Sequence, residues 1–223
     1  MAAAYWVPLL LVAALGGLAG LLPARFPAWP WRAVGGGVGV VLAACELSWI
    51  VVSTLVRPWS ARSDLPLQLC DVGALVAAAA MFLPRLRVLS ELTWYWGLGA
   101  SPVAILIPQV GAGFSSYLYF QYYLEHGGMV VAGVLLAAAF HLRLTWASGL
   151  RGAAITALLA IGIGLVDLAT GGNYLFLRAL PSDAGPLLRL GTWPGTAVLE
   201  AVLGAAGIAL LTAILHRRNA PPA

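Results

Sequence analysis

The sequence predicts an all-α polytopic membrane protein: a single bundle of seven transmembrane helices, residues 1–223 forming one domain, with the N-terminus outside and the C-terminus cytoplasmic. Three observations predict it. Of 223 residues, 61% are hydrophobic and only 9% charged, whereas globular chains carry about 25% charged residues; the mean hydropathy is +0.93. Seven apolar segments approach the roughly 20 residues that cross a hydrocarbon core, and none alternates like a barrel strand. The arginines are also unevenly shared between the two sets of connections.

The first segment, Tyr5–Leu22, has no basic residue before it and Arg25 after it, which reads as an uncleaved span with its start outside. Pro23, Pro27 and Pro30 separate it from the second, Ala33–Val56, which ends before Pro58. Gly16/Gly20 and Gly35/Gly39 are small-xxx-small pairs suited to close helix packing. The glycine run at Gly35 superficially suggests a nucleotide loop, but no strand precedes it. The third segment is Leu65–Leu83, ended by Pro84, and the fourth is Leu92–Pro108, with Pro102 supplying a kink. The fifth, Tyr122–Leu142, follows a connection containing Gly111 and Gly113. The sixth, Ala153–Thr170, stops at Gly171-Gly172. The seventh, Ala197–Leu215, follows Pro181, Pro186 and Pro194. Connections on the N-terminal side hold Arg57, Arg62, Arg178 and Arg189. Those on the other side hold Arg25, Arg32, Arg85, Arg87, Arg143, Arg151, Arg217 and Arg218, a positive-inside bias. Trp29, Trp31, Trp94, Trp96 and Trp193 read mostly as an interfacial aromatic belt.

The charged residues number twenty: twelve Arg, four Asp and four Glu, with no Lys. No basic block exists for a nucleic acid, and two cysteines, Cys45 and Cys70, make no disulfide scaffold. Every Arg lies near a predicted helix end, where it can snorkel. Four acids do not: Glu46, Asp71, Asp167 and Glu200 fall inside spans, where an ionisable group is expensive and faces protein or water. Glu46 lies about 11 residues, or about 16 Å, below the outer end of its helix. Gln68, Cys70 and Asp71 lie in the first two turns of the third helix, and Asp167 is one turn from the end of the sixth. Glu125, His126, Asn173 and Tyr174 belong to the same outer half, and Glu200 is early in the seventh helix.

No HExxH, CxxC, His pair at i, i+4 or nucleophile elbow is present, so no metal and no cofactor is expected. Chemistry here comes from a thiol, a lone His and carboxylates. A Cys–His pair is a coherent nucleophilic system in which imidazole takes the thiol proton and the thiolate attacks an ester. Asp71 beside the sulfur opposes a thiolate unless His126 is cationic or lies between them. Blander readings stand beside this one: Cys70 as a packing residue, His126 as an interfacial residue, Asn173 as a turn former, and Glu46 and Glu200 as register-fixing groups.

The motifs Leu65-Pro66-Leu67-Gln68-Leu69-Cys70-Asp71, Glu91-Leu92-Thr93-Trp94-Tyr95-Trp96-Gly97, Gln121-Tyr122-Tyr123-Leu124-Glu125-His126-Gly127, Gly172-Asn173-Tyr174-Leu175-Phe176-Leu177 and Trp193-Pro194 follow one another in order. As a set they resemble the YwaF-type bacterial integral membrane proteins, relatives of animal transmembrane protein 164. The likeness runs from the second helix to the seventh. The animal relative is an acyltransferase that builds polyunsaturated ether phospholipids with a catalytic Cys and His, so the resemblance implies Cys70 and His126 as that pair. One departure is at position 68: the family motif is expected to read Leu-Pro-Leu-His-Leu-Cys, and this chain has Gln68.

Two expectations follow. The first is a lipid acyltransferase or transacylase of the bacterial plasma membrane, with phospholipid as substrate. Cys70 is its nucleophile and His126 its base, and Gln68, Asp71, Glu46, Asn173, Tyr174, Asp167 and Glu200 form the substrate-binding surround. The alternative is a small-solute or lipid transporter or receptor with the buried carboxylates as ligands, against which stands the absence of matched broken helices.

Overall fold

The structure, a computed structural model, describes residues 2–108, 113–179 and 193–218. Gly111, Pro181, Pro186 and Arg189 lie outside these residues. Seven α-helices account for most of the described chain: α1 (Ala2–Arg25), α2 (Trp31–Val56), α3 (Leu69–Phe82), α4 (Arg87–Leu106), α5 (Tyr117–Ala138), α6 (Trp146–Thr170) and α7 (Gly195–Arg218), with a single 3-10 turn at Tyr174–Phe176. No strand occurs among the described residues.

Each predicted segment overlaps one helix, and the largest differences lie at the starts, although α5 also ends at Ala138 rather than Leu142. α3 begins at Leu69 rather than Leu65, because Gln68 is its N-cap and Pro66 disfavours helical backbone just before it. α5 begins at Tyr117, five residues early, because the Ser116 hydroxyl accepts from Tyr119 N–H and nucleates the first turn. α6 begins at Trp146 with a Thr145–Ser148 capping box. Arg151 therefore sits within the helix rather than in the connection.

Four helices, α1, α2, α6 and α7, are long and apolar enough to cross a membrane. They turn bare aliphatic side chains outward: Leu10, Leu21, Leu55, Leu150, Leu158 and Leu168 are each more than 60% exposed. Such a surface is far more apolar than a soluble monomer presents and fits a lipid environment. α3 is shorter, and α4 carries more buried polar groups than any other helix among the described residues.

α4 and α5 form the central pair. α3 packs on both and on α2, α1 lies against α5, and α6 and α7 lie against α4. At Gly97 a Cβ would sit 2.5 Å from the Met129 carbonyl oxygen, so only glycine permits the α4–α5 approach. On the other side of α4, consecutive aromatic residues reach two helices. Trp94 Nε1 donates to the Leu211 carbonyl at 3.3 Å, Tyr95 Oη shares a hydrogen bond of 2.9 Å with Thr212 Oγ1, and Trp96 Nε1 donates to Thr156 Oγ1 at 2.9 Å. Trp94 and Trp96 are thus core residues, correcting their assignment to an interfacial belt; Trp29 and Trp193 are exposed. An indole buried with its N–H satisfied contributes apolar area without an orphaned donor.

Glu91 of α4, 1% exposed, receives a bidentate pair from Arg151 of α6: Nε to Oε2 at 2.9 Å and Nη2 to Oε1 at 2.8 Å. Removing the cation strands a buried carboxylate, which typically costs about 3–5 kcal/mol. Arg151→Ala is therefore expected to lower the melting temperature of the detergent-solubilised protein. Arg151→Lys, which keeps the charge but loses the fork, should fall between them. Equal melting of all three proteins would show that the pair does not hold α4 to α6.

Candidate functional site

The site begins at the first turn of α3. The Gln68 backbone N–H donates to Asp71 Oδ2 at 2.9 Å, while the Gln68 side chain accepts from the Asp71 backbone N–H, closing a capping box. This fixes Cys70 and Asp71 at the helix entrance. The Cys70 thiol donates to Asp71 Oδ1 at 3.5 Å.

α5 supplies the second wall through residues one turn apart. Gln121 Nε2 donates to Glu125 Oε2, and His126 Nδ1 bonds the Tyr122 carbonyl at 2.8 Å. A carbonyl only accepts, so that bond assigns the imidazole proton to Nδ1 and leaves the lone pair on Nε2. The Tyr122 ring lies against the imidazole with centroids 4.1 Å apart, fixing its plane. Glu125 and His126 are both buried.

α2 supplies the third wall. Ser48 Oγ and Tyr117 Oη are 2.6 Å apart, and Leu42 packs where a Cβ on Gly128 would be, 2.9 Å from Leu42 Cδ2. These contacts run in opposite sequence directions, so α2 and α5 are antiparallel here. Glu46, one turn beyond Leu42, consequently meets Glu125, nearly one turn before Gly128. Glu46 is 0% exposed, and neither of its carboxylate oxygens has a hydrogen-bond partner.

Two overlapping groups result. Cys70 Sγ, a Glu125 carboxylate oxygen and a His126 ring nitrogen lie within 4.8 Å of one another. One oxygen each from Glu46, Asp71 and Glu125 does the same. The structure therefore brings together Cys70, Asp71, His126 and Glu46, and adds Glu125 and Gln121. Glu125 stood only at the edge of the expected fifth span; the signal for it was Gln121 four residues earlier and His126 beside it, on a helix that starts one turn sooner.

The other expected residues form a clamp next to this cluster. Gln68 Oε1 accepts from the Leu175 backbone N–H at 3.0 Å, tying the 3-10 turn to the start of α3. Tyr174 Oη accepts from Leu65 N–H at 2.9 Å and donates to the Ala61 carbonyl at 3.0 Å. Asp167 Oδ1 accepts from Tyr174 N–H at 2.9 Å, and its other oxygen is buried without a partner. Asn173 Oδ1 accepts from the Arg178 and Ala179 backbone N–H groups, and its Nδ2 donates to the Ala179 carbonyl. These bonds hold Leu175 and Phe176 at φ of 54° and 52°, a left-handed conformation that disfavours β-substituted residues. Glu200, half-buried on α7, joins neither group and has no hydrogen-bond or ion-pair partner among the described residues.

The connection leading into α3 has a second tether. Asp64 pairs with Arg57 and accepts from Ser60 N–H at 2.7 Å and Ser63 Oγ at 3.1 Å. Burial pushes the Asp64 carboxyl up, but these donors and the Arg57 charge outweigh it and hold the group below its usual 3.8. A depressed carboxyl stabilises the fold above its unfolded value and loses that contribution as pH falls through the lowered value.

The TMEM164 family model matches residues 1–212, and the chain belongs to the TMEM164 family. A protein of Treponema pallidum (strain Nichols), itself described as uncharacterized, is 29% identical over 156 residues, covering 68% of this chain and 63% of the relative's own length. The matched region thus spans less than two thirds of that relative. No solved structure matches.

Two outcomes are expected for the clamp. Tyr174→Phe strands the Leu65 N–H and Ala61 carbonyl and should destabilise the protein by about 1–3 kcal/mol, read from thermal melting. Asp64→Asn should be less stable than wild type at neutral pH, with the gap closing as pH falls below 3.8. A pH-independent gap would remove the ionised carboxylate from the tether.

Proposed function

We propose that this protein is a membrane-embedded lipid acyltransferase or transacylase in which Cys70 is the nucleophile and His126 the general base. One observation carries the reading: the Cys70 sulfur and a His126 ring nitrogen lie within 4.8 Å of each other beside a Glu125 oxygen. Catalytic hydrogen bonds are often long before substrate binds and tighten in the complex. Membership of the TMEM164 family supports the same reaction class, because the motif resemblance implies a Cys–His acyltransferase.

The thiol proton passes to the basic nitrogen as Sγ attacks the ester carbonyl carbon of a phospholipid acyl chain. Collapse of the tetrahedral intermediate breaks the ester C–O bond. The departing lysophospholipid oxygen takes the proton from His126, and a thioester remains on Cys70. An acceptor lysolipid hydroxyl then gives its proton to His126, attacks the thioester and restores the thiol. Gln68, Asn173, Tyr174 and Asp167 act as positioning residues through the clamp, and Glu46 and Asp71 flank the reacting pair.

All seven helices cross or enter the bilayer in this reading, with the N-terminus outside a bacterial plasma membrane, as the Arg distribution favours. The α3 entrance then faces the outer leaflet. Acyl-CoA is cytoplasmic, so the donor is a phospholipid.

Purified protein given labelled phospholipid and unlabelled lysolipid should transfer the acyl label. Cys70→Ala and His126→Gln should each lose on the order of 100-fold or more in rate. Hydroxylamine should release the label from a wild-type intermediate and find none on Cys70→Ala. Equal transfer by wild type and Cys70→Ala overturns the assignment.

A further inference from the structure

Glu46, Asp71 and Glu125 come from three different helices, and all are buried. Asp71 has donors in Gln68 N–H and the Cys70 thiol, and Glu125 has Gln121. Glu46 has none: it is 0% exposed, and both oxygens lack a partner. Among the described residues no ion pair reaches these three acids; the paired cations are Arg57 on Asp64 and Arg151 on Glu91. Three carboxylates facing one another away from water repel strongly and are not all ionised unless protons or a cation are bound between them. Their oxygens lie within 4.8 Å of one another. Two ligands on one Ca2+-sized ion, each at about 2.4 Å, stand no more than about 4.8 Å apart, a bound that every pair of these oxygens meets.

We infer that Glu46, Asp71 and Glu125 bind one divalent, oxygen-preferring cation of the Ca2+, Mn2+ or Mg2+ class between α2, α3 and α5. The all-oxygen donor set selects that class over softer metals. Cys70, Glu125 and His126 form a second set of donors of the kind zinc takes, but Glu46, the buried carboxylate with neither oxygen partnered among the described residues, belongs to the oxygen set. Three protein oxygens leave positions open on an ion that takes six or more ligands, and phosphate or carbonyl oxygens of a lipid fill such positions. That consequence rests on the acyl-transfer reading; the site itself does not.

Protein purified without chelators, stripped with EDTA and titrated with Mn2+ alone should show one saturable site by loss of the free-ion EPR signal, with Ca2+ competing. Glu46→Gln, nearly isosteric, should weaken binding by on the order of ten-fold or more; Asp71→Asn reads the same loss should Glu46→Gln not fold. Glu200→Gln should bind as wild type, and so should Cys70→Ala, even though it is expected to lose acyl transfer. EDTA should lower the melting temperature of wild type but not of Glu46→Gln. Wild type that binds no ion, or a Glu46→Gln protein that is more stable and binds unchanged, overturns the cation site and leaves the acyl-transfer test untouched. Binding lost in Cys70→Ala also overturns it, by moving the metal onto the Cys–Glu–His set and taking Cys70 from its role as nucleophile.

Discussion

The fold turns on the cost of holding carboxylates away from water. Five acids are buried on helices, and each is handled differently. Glu91 takes a bidentate Arg151, Asp167 takes the Tyr174 backbone N–H, Asp71 takes a helix-capping N–H, and Glu125 takes the Gln121 amide. Glu46 takes nothing from the described residues. An isolated carboxylate in a low-dielectric interior is expensive enough to decide which helices sit together. The first pair fastens α6 to α4 and the second holds the turn after α6. The remaining three acids converge at one point.

Geometry at that point is set by helix register rather than by loops. Gly97 removes the side chain that would keep α5 from α4, and Gly128 admits Leu42 of α2. With α2 and α5 antiparallel, one turn past Leu42 brings Glu46 level with Glu125. His126 follows Glu125 directly, and its tautomer is set by a carbonyl of its own helix. Cys70 arrives from a third helix whose first turn is locked by its capping box. Side chains held on rigid helices and fixed by neighbouring bonds keep their mutual geometry better than the same groups on mobile loops.

The sequence made the helices legible because each is an apolar run bounded by prolines and glycines. It made Glu46 and Asp71 legible because a charge inside such a run is conspicuous. Two things escaped it. Glu125 stood in the first turn of an expected span, and the Ser116 cap, which starts α5 five residues earlier, sets it more than two turns into the helix. The partner of Arg151 lay 60 residues away on another helix, a distance that no periodicity reports. A shared depth also merged two groups that the structure separates: Asn173, Tyr174 and Asp167 spend their polar atoms on backbone near the turn, while Cys70, His126 and the acids face one another.

At position 68 the motif resemblance leads to an expected His, where this chain has Gln68. A His there would offer one acceptor nitrogen in its neutral form and a donor on the other. The backbone around it presents two donors, Asp71 N–H and Leu175 N–H, and the Gln68 side-chain oxygen takes both. A carbonyl oxygen with two lone pairs suits that double duty, which is to cap α3 and tie the 3-10 turn to it. What position 68 requires is therefore an acceptor rather than a base. On α5, His126 carries its proton on the nitrogen turned to Tyr122, which leaves a lone pair on the other. In this geometry Gln68 is spent on backbone, and the proposed thiol–imidazole pair does not draw on it.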